Sequence, residues 1–399
     1  MPTRRILTKD NLLIRCEVYR EGVEFVKINF YESQREYKQK KQEFDSAIQG
    51  IIEKGSFILG DEVKTFEEEI KEFTGAKHAI GVASGTDALV IASDILGFKD
   101  EKEVITTPFT FLASTSCISK HKAIPVFVDI EEESCGMDIS QIEDKINEKT
   151  VGLLPIHLFN QMCDMDGMMN IAQKHDLKVL EDAAEAFGMR WKMQGEDTYK
   201  HAGCIGDMGV FSFFPTKTLG GYGDGGMIVT NSDELNDICR MMRVHGASKK
   251  YHYDYIGYNS RLDAMQAAIL RVKLKYMNDA IANRARVAKL YTEKLSNISE
   301  VKVQGIKQDQ QNVYYVFNIF AENRDELAAF LSSKGVATSI YYPKPLHLQK
   351  CFEYLGYKEG QFPVTEAMCK KILALPIYPE FRNEEVEYVC ECIKEFYLR

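Results

Sequence analysis

Three short stretches of the chain carry residue types whose spacing can do chemistry. The richest is Phe211-Ser212-Phe213-Phe214-Pro215-Thr216-Lys217-Thr218-Leu219-Gly220-Gly221-Tyr222-Gly223-Asp224-Gly225-Gly226, one lysine between an apolar run and a turn with five glycines. Partial desolvation there is expected to lower the Lys217 pKa, which favours the free amine that attacks a carbonyl. The second stretch is Glu181-Asp182-Ala183-Ala184-Glu185-Ala186-Phe187-Gly188. An acid at the end of a buried strand is costly unless paired, so Asp182 reads as the holder of a cationic ring nitrogen, or else as a helix cap or a buried ion pair. The third, Ser84-Gly85-Thr86-Asp87, opens a helix. Small residues there let backbone N–H groups approach an anion, and the helix dipole favours a phosphate; a plain N-cap explains the same residues. Ser212, five residues before Lys217, can turn toward the same anion.

The elements that must position these residues are legible as short apolar runs alternating with helical periods. Strands are expected at His78–Ala83, Val104–Thr107, Pro125–Ile130, Val151–Ile156, Leu177–Leu180, Val210–Phe213 and Met227–Thr230, with helices at Thr86–Leu96, Phe111–Lys120 and near Asp166–His175. Val- and Ile-rich strands without alternation are buried on both faces, so the pattern predicts a mostly parallel sheet sandwiched by helices, an α/β fold. Ahead of it, Phe44, Ile48, Ile51 and Ile52 and then Val63, Phe66, Ile70 and Phe73 follow the helical period, with Gly75 as a stop. After Leu262 a long helix runs to about Leu295, followed by a smaller α+β block: a strand at Tyr314–Phe320, a helix at Arg324–Lys334, a strand at Val336–Tyr341 and a closing helix at Glu384–Phe396. The expected division is an extension of unknown role over residues 1–26, a large domain over 27–275 and a small C-terminal domain over 276–399. Ligands of such sheets bind beyond the carboxyl ends of the strands, and all three chemical stretches sit there.

The balance of 50 Lys plus Arg against 59 Asp plus Glu leaves a net charge of −9, which argues against a nucleic-acid binder. No apolar run is long enough to span a bilayer and the N-terminus has no signal-peptide pattern, so the reading is a cytoplasmic protein. The 10 cysteines are scattered without a CxxC pair, as for reduced thiols, and no four-ligand zinc cluster is present.

An amine for an aldehyde, a carboxylate for a pyridinium nitrogen and a cradle for a phosphate are together the needs of pyridoxal 5′-phosphate (PLP). At this point the sequence resembles the DegT/DnrJ/StrS family of sugar aminotransferases, a branch of the fold-type I PLP enzymes, from about Ile28 to the C-terminus. The resemblance rests on Ser56-Phe57-Ile58-Leu59-Gly60, Ser84-Gly85-Thr86-Asp87-Ala88-Leu89, Glu181-Asp182-Ala183-Ala184, Ser212-Phe213-Phe214-Pro215-Thr216-Lys217, Gly223-Asp224-Gly225-Gly226 and Gly257-Tyr258-Asn259-Ser260-Arg261-Leu262, in this order.

By position, the resemblance implies that Lys217 links covalently to the cofactor and later shuttles protons, and that Asp182 pairs with the pyridinium nitrogen. It implies that Gly85, Thr86 and Ser212 bind the phosphate, and that Phe111 stacks on the ring. It also implies that Asn259 reaches the phosphate in the other subunit of a homodimer. Read from residue type alone, Phe111 is a core aromatic and Asn259 a turn former. Glu185 stands where many family members have Gln, near the phenolic oxygen; a second carboxylate there repels unless one group holds a proton. Arg240, Arg243, His245, Lys249, Lys250 and His252 gather positive charge, either a solvated helix end or a pyrophosphate site. His157, Arg243, His245, Lys249, Tyr342 and His347 are the candidate substrate contacts. The implied activity is amination of a nucleotide-linked keto sugar, a 3-keto-6-deoxy sugar or a relative, with glutamate as donor and pyridoxamine phosphate as the aminated cofactor. The rivals are a keto-cyclitol substrate and a non-catalytic PLP-binding regulator.

Overall fold

Along the strands of the main sheet, successive apolar side chains fall into two separate clusters, one on each face. Val179, Phe211, Met227 and Val229 enter one, and Leu180, Val210 and Ile228 the other. This two-sided burial is why the strands read as unbroken apolar runs. The structure, a computed structural model, describes residues 27–398, and the expected extension over residues 1–26 lies outside them.

Seven strands make this sheet: β1 (His78–Val82), β2 (Glu103–Thr106), β3 (Ile124–Phe127), β4 (Thr150–Leu153), β5 (Lys178–Asp182), β6 (Met208–Ser212) and β7 (Gly226–Thr230). Their spatial order is β1-β7-β6-β5-β4-β2-β3. Only β7 runs antiparallel to its neighbours; the pairs β2·β3, β2·β4, β4·β5 and β5·β6 are parallel. Parallel neighbours need crossovers: the helices Leu112–Lys120 and Met165–His175 lie in the β2–β3 and β4–β5 connections, while Gly85–Ile95 joins the edge strand β1 to β2. Helices Lys41–Lys54 and Asp61–Thr74 end at Gly55 (φ 63°) and Gly75 (φ 81°), a left-handed turn that costs glycine no Cβ clash.

A second sheet, β8 (Val301–Val303), β9 (Phe317–Ala321) and β10 (Ile372–Leu375), is antiparallel in the order β8-β9-β10. It shares an apolar cluster with Ile28, Val287, Leu327 and Ile393, so both ends of the described chain close the same core.

Three expected elements come out differently. The long helix divides into Ala264–Leu274 and Met277–Leu295, because the Tyr276 N–H bonds Lys273 O at 3.0 Å in a tightened turn. The strand expected from Tyr314 starts instead at Phe317, since Tyr314 has φ 49°, outside any strand conformation. Val336–Tyr341 is no strand: its β pairing is limited to the isolated bridges Ile28↔Val336 and Ser339↔Ala374. The chain then leaves the sheet and puts Ile340, Tyr341 and Tyr342 in the wall of the cavity described next.

Candidate active site

Beyond the carboxyl ends of the strands lies a cavity of about 510 Å³. Strand β5 ends in Asp182, which is 4 % exposed. It accepts from the Ala184 N–H at 3.1 Å and from the Ser114 hydroxyl. Burial raises its pKa above the usual carboxylate range, and among the described residues no basic side chain forms an ion pair with it. The next segment back, Pro155–His157, bonds alongside: Asp182 N–H to Pro155 O at 2.9 Å and His157 N–H to Asp182 O at 3.0 Å.

The loop after β6 brings Lys217 to the same cavity, where it is the one amine among the lining residues. Its Nζ is 3.1 Å from Glu185 Oε1 and 4.6 Å from the centre of the Tyr315 ring. This corrects one expectation. Burial alone would lower the Lys217 pKa, but the charges of Glu185 and Tyr315 and the hydrogen bond to Glu185 reverse it, leaving the amine above the ordinary lysine range. The Lys217 amine and the Glu185 carboxyl therefore lie in ion-pair contact at the cavity wall.

The third wall is the start of helix Gly85–Ile95. Ser84 caps it, accepting from the Asp87 N–H at 3.1 Å. A Cβ on Gly85 would lie 2.6 Å from Ser212 Cβ, and one on Gly226 would lie 2.3 Å from the Ser84 carbonyl group. Glycine at both positions therefore lets the helix N-terminus close against the ends of β6 and β7, with Gly85, Thr86 and Ser212 lining the cavity together. Phe111 lines it too and is 58 % exposed, so it is not a core aromatic.

Gly85, Thr86, Phe111, Asp182, Glu185, Ser212 and Lys217 are thus brought together, with His157 and Tyr342 in the same wall. The His157 ring is occupied behind that wall. Its Nε2 is 2.9 Å from Glu181 Oε2 and its Nδ1 accepts from the Cys163 N–H at 3.3 Å. Glu181, fully buried, also accepts from the amides of Gly203, Ile205 and Gly206 at 2.8, 2.7 and 2.6 Å. His157 accordingly has no ring nitrogen left for a substrate.

The other candidates lie outside the cavity of their own chain. Arg243 is buried: its guanidinium donates to Glu67 Oε1 at 2.5 Å and to Gly81 O at 2.9 Å, so its charge is spent inside the protein. His347 is buried with Nε2 3.0 Å from Glu366 Oε1, packed edge-on against Phe362. His245 turns with φ 66° and bonds Tyr258 O through its backbone. Lys249 and Asn259 are exposed, the latter bridged to Val244. Two wall residues escaped the sequence reading: Ser114, the hydroxyl on Asp182, and Tyr315, whose ring meets the Lys217 amine. Ser114 sits three residues after Phe111 with no role assigned to it, and nothing in the sequence around Tyr315 marks it.

These residues fit PLP. A buried carboxylate without a cationic partner suits a ring nitrogen that carries a proton, an anion cradle opens on a helix N-terminus, and one amine faces both. Residues 38–394 match the model of the DegT/DnrJ/EryC1/StrS aminotransferase family. The chain belongs to that family. It is 44 % identical to a pleiotropic regulatory protein of Geobacillus stearothermophilus, over 91 % of this chain and 96 % of the relative. It is 38 % identical to a UDP-N-acetyl-3-dehydro-alpha-D-glucosamine 3-aminotransferase of Acidithiobacillus ferrooxidans, over 89 % of this chain and 94 % of that enzyme. Among solved structures, Streptomyces venezuelae DesV in complex with a ketimine intermediate superposes with a TM-score of 0.89 at 34 % identity, covering 94 % of this chain and 99 % of that one. The protein is a PLP-dependent aminotransferase.

Proposed function

We propose that this aminotransferase aminates the keto group of a nucleotide-linked sugar, taking the amino group from glutamate. The observation that supports it best is the meeting of Lys217, Asp182 and the Gly85–Thr86–Ser212 cradle in one cavity. The A. ferrooxidans relative is named for amination at C3 of a UDP-linked sugar, which favours a 3-keto substrate.

When bound, PLP supplies an aldehyde for amine exchange and a ring that accepts electrons. Asp182 would hold the proton on the ring nitrogen, the charge its buried site lacks a partner for. Gly85, Thr86 and Ser212 would hold the phosphate, and Phe111 would cover one ring face. Lys217 would bond the cofactor's aldehyde and, as a free amine, would carry a proton within the cavity. Tyr341 and Tyr342 complete the aromatic part of the wall.

The name of the G. stearothermophilus relative favours a second reading, a regulator that binds PLP without turnover. A two-step assay separates the two. Cofactor-loaded protein is treated with glutamate, and the product is then offered keto sugars carrying UDP, dTDP or GDP. One equivalent of amino sugar per site is expected from at least one of them; amination of a keto-cyclitol alone would move the substrate class.

The site is proposed to be shared across a homodimer acting in the cytoplasm. Asn259 lies off its own cavity beside exposed apolar residues, Tyr251 at 77 % and Ile256 at 98 %, and Phe111 and Phe214 are half-exposed at the cavity. An isologous interface would put Asn259 of the partner subunit on the phosphate twice over. With Lys217→Ala and Asn259→Ala each inactive and subunits exchanging, a random equal mixture should regain roughly a quarter of wild-type activity, since half the dimers carry one intact site. No recovery would mean that each subunit builds its site alone.

A further inference from the structure

Glu185 is oriented from both sides. Its Oε2 accepts from the Phe159 N–H at 3.0 Å, while Oε1 faces Lys217 Nζ at 3.1 Å. Both side chains are nearly buried, 12 % and 14 % exposed. Among the described residues, Oε1 is the one acceptor within hydrogen-bond distance of Nζ. The other charged or titratable groups facing the pair, Asp182, Tyr315, Tyr341 and Tyr342, stand further off: Tyr315 presents its ring face, and Asp182 is held by Ser114 and Ala184.

An ammonium cannot attack a carbonyl, so Lys217 must lose a proton before it works as an amine. That proton passes most directly to an acceptor already in contact with Nζ. We propose that Glu185 is that acceptor: its Oε1 takes the Lys217 proton and keeps it while the amine is in use. The N–H bond breaks with its electron pair left on Nζ, an O–H bond forms on Oε1, and an ion pair becomes a neutral pair with no net change in charge. The Phe159 amide decides which oxygen is protonated, because Oε2 must stay an acceptor. This role rests on the PLP reading of the cavity. It also gives a reason for a carboxylate at this position: a glutamine would accept from Phe159 and turn its own NH₂ toward Nζ, two donors facing each other.

Two measurements test it. In the cofactor-free protein, acetylation of Lys217 by an N-hydroxysuccinimide ester is followed by peptide mass at neutral pH. The wild type should resist. Glu185→Gln, with the buried amine stripped of its partner and its pKa lowered, should react about tenfold faster or more, one pKa unit being a factor of ten in free amine. Equal or slower labelling in a variant with a wild-type thermal melt would overturn the coupling. In the second, difference infrared spectra are taken as wild-type protein labelled isotopically at its glutamate carboxyls takes up PLP. A carboxylic-acid carbonyl band that shifts with the label is expected on loading. Loading, seen by visible absorption, without that band would show that the proton goes elsewhere and would sink the role of Glu185 alone. Failure to take up PLP at all would sink the cofactor reading, and this role with it.

Discussion

Lys217→Ala should abolish turnover, with a loss on the order of 10⁴- to 10⁶-fold, the scale on which removing a covalent nucleophile is felt. The visible absorption of the lysine-bound cofactor should vanish with it. Lys217 is the one amine lining the cavity, so no neighbour can take over its bond or its proton. The fold should survive, because the lysine's polar contacts are the Glu185 hydrogen bond and the face of the Tyr315 ring, and no backbone bond depends on its side chain. Near-normal transamination by this variant would place the chemistry elsewhere.

Asp182→Asn should keep the cofactor and lose about 10³-fold in turnover, equivalent to about 4 kcal/mol of transition-state stabilisation. The substitution preserves shape, and the contacts with Ser114 and Ala184 can persist. What it removes is the negative charge. A carboxamide cannot hold the proton of a ring nitrogen, and an unprotonated ring accepts electrons poorly. Steady-state kinetics beside the cofactor content of the purified variant checks both halves. Wild-type rates would take Asp182 out of the chemistry; a cofactor-free protein would show it to be mainly an anchor.

Much of this arrangement is legible in the chain because the sheet is buried on both faces. The run Val179-Leu180 must be apolar at every position when its side chains alternate between two cores, so the strand reads plainly and Asp182 stands out at its end. Gly75 marks its helix stop for an equally local reason, a φ of 81°. The readings that fail are those that depend on a distant partner. Arg243 looks like a free cation until Glu67, 176 positions earlier, is folded against it. The sign of the Lys217 shift depends on Glu185, 32 positions away, and desolvation alone predicts the wrong direction. Tyr315 reaches the amine from a segment outside the main sheet, with nothing in its neighbours to announce it.

The central claim is that this cavity transfers an amino group rather than merely storing a cofactor. Its most direct test is the first half of the reaction by itself: PLP-loaded wild-type protein given excess glutamate and no acceptor. The visible band should disappear and one 2-oxoglutarate per subunit should be released, leaving pyridoxamine phosphate bound. A protein that holds PLP stoichiometrically yet releases no oxo acid from glutamate or any other amino donor would contradict it.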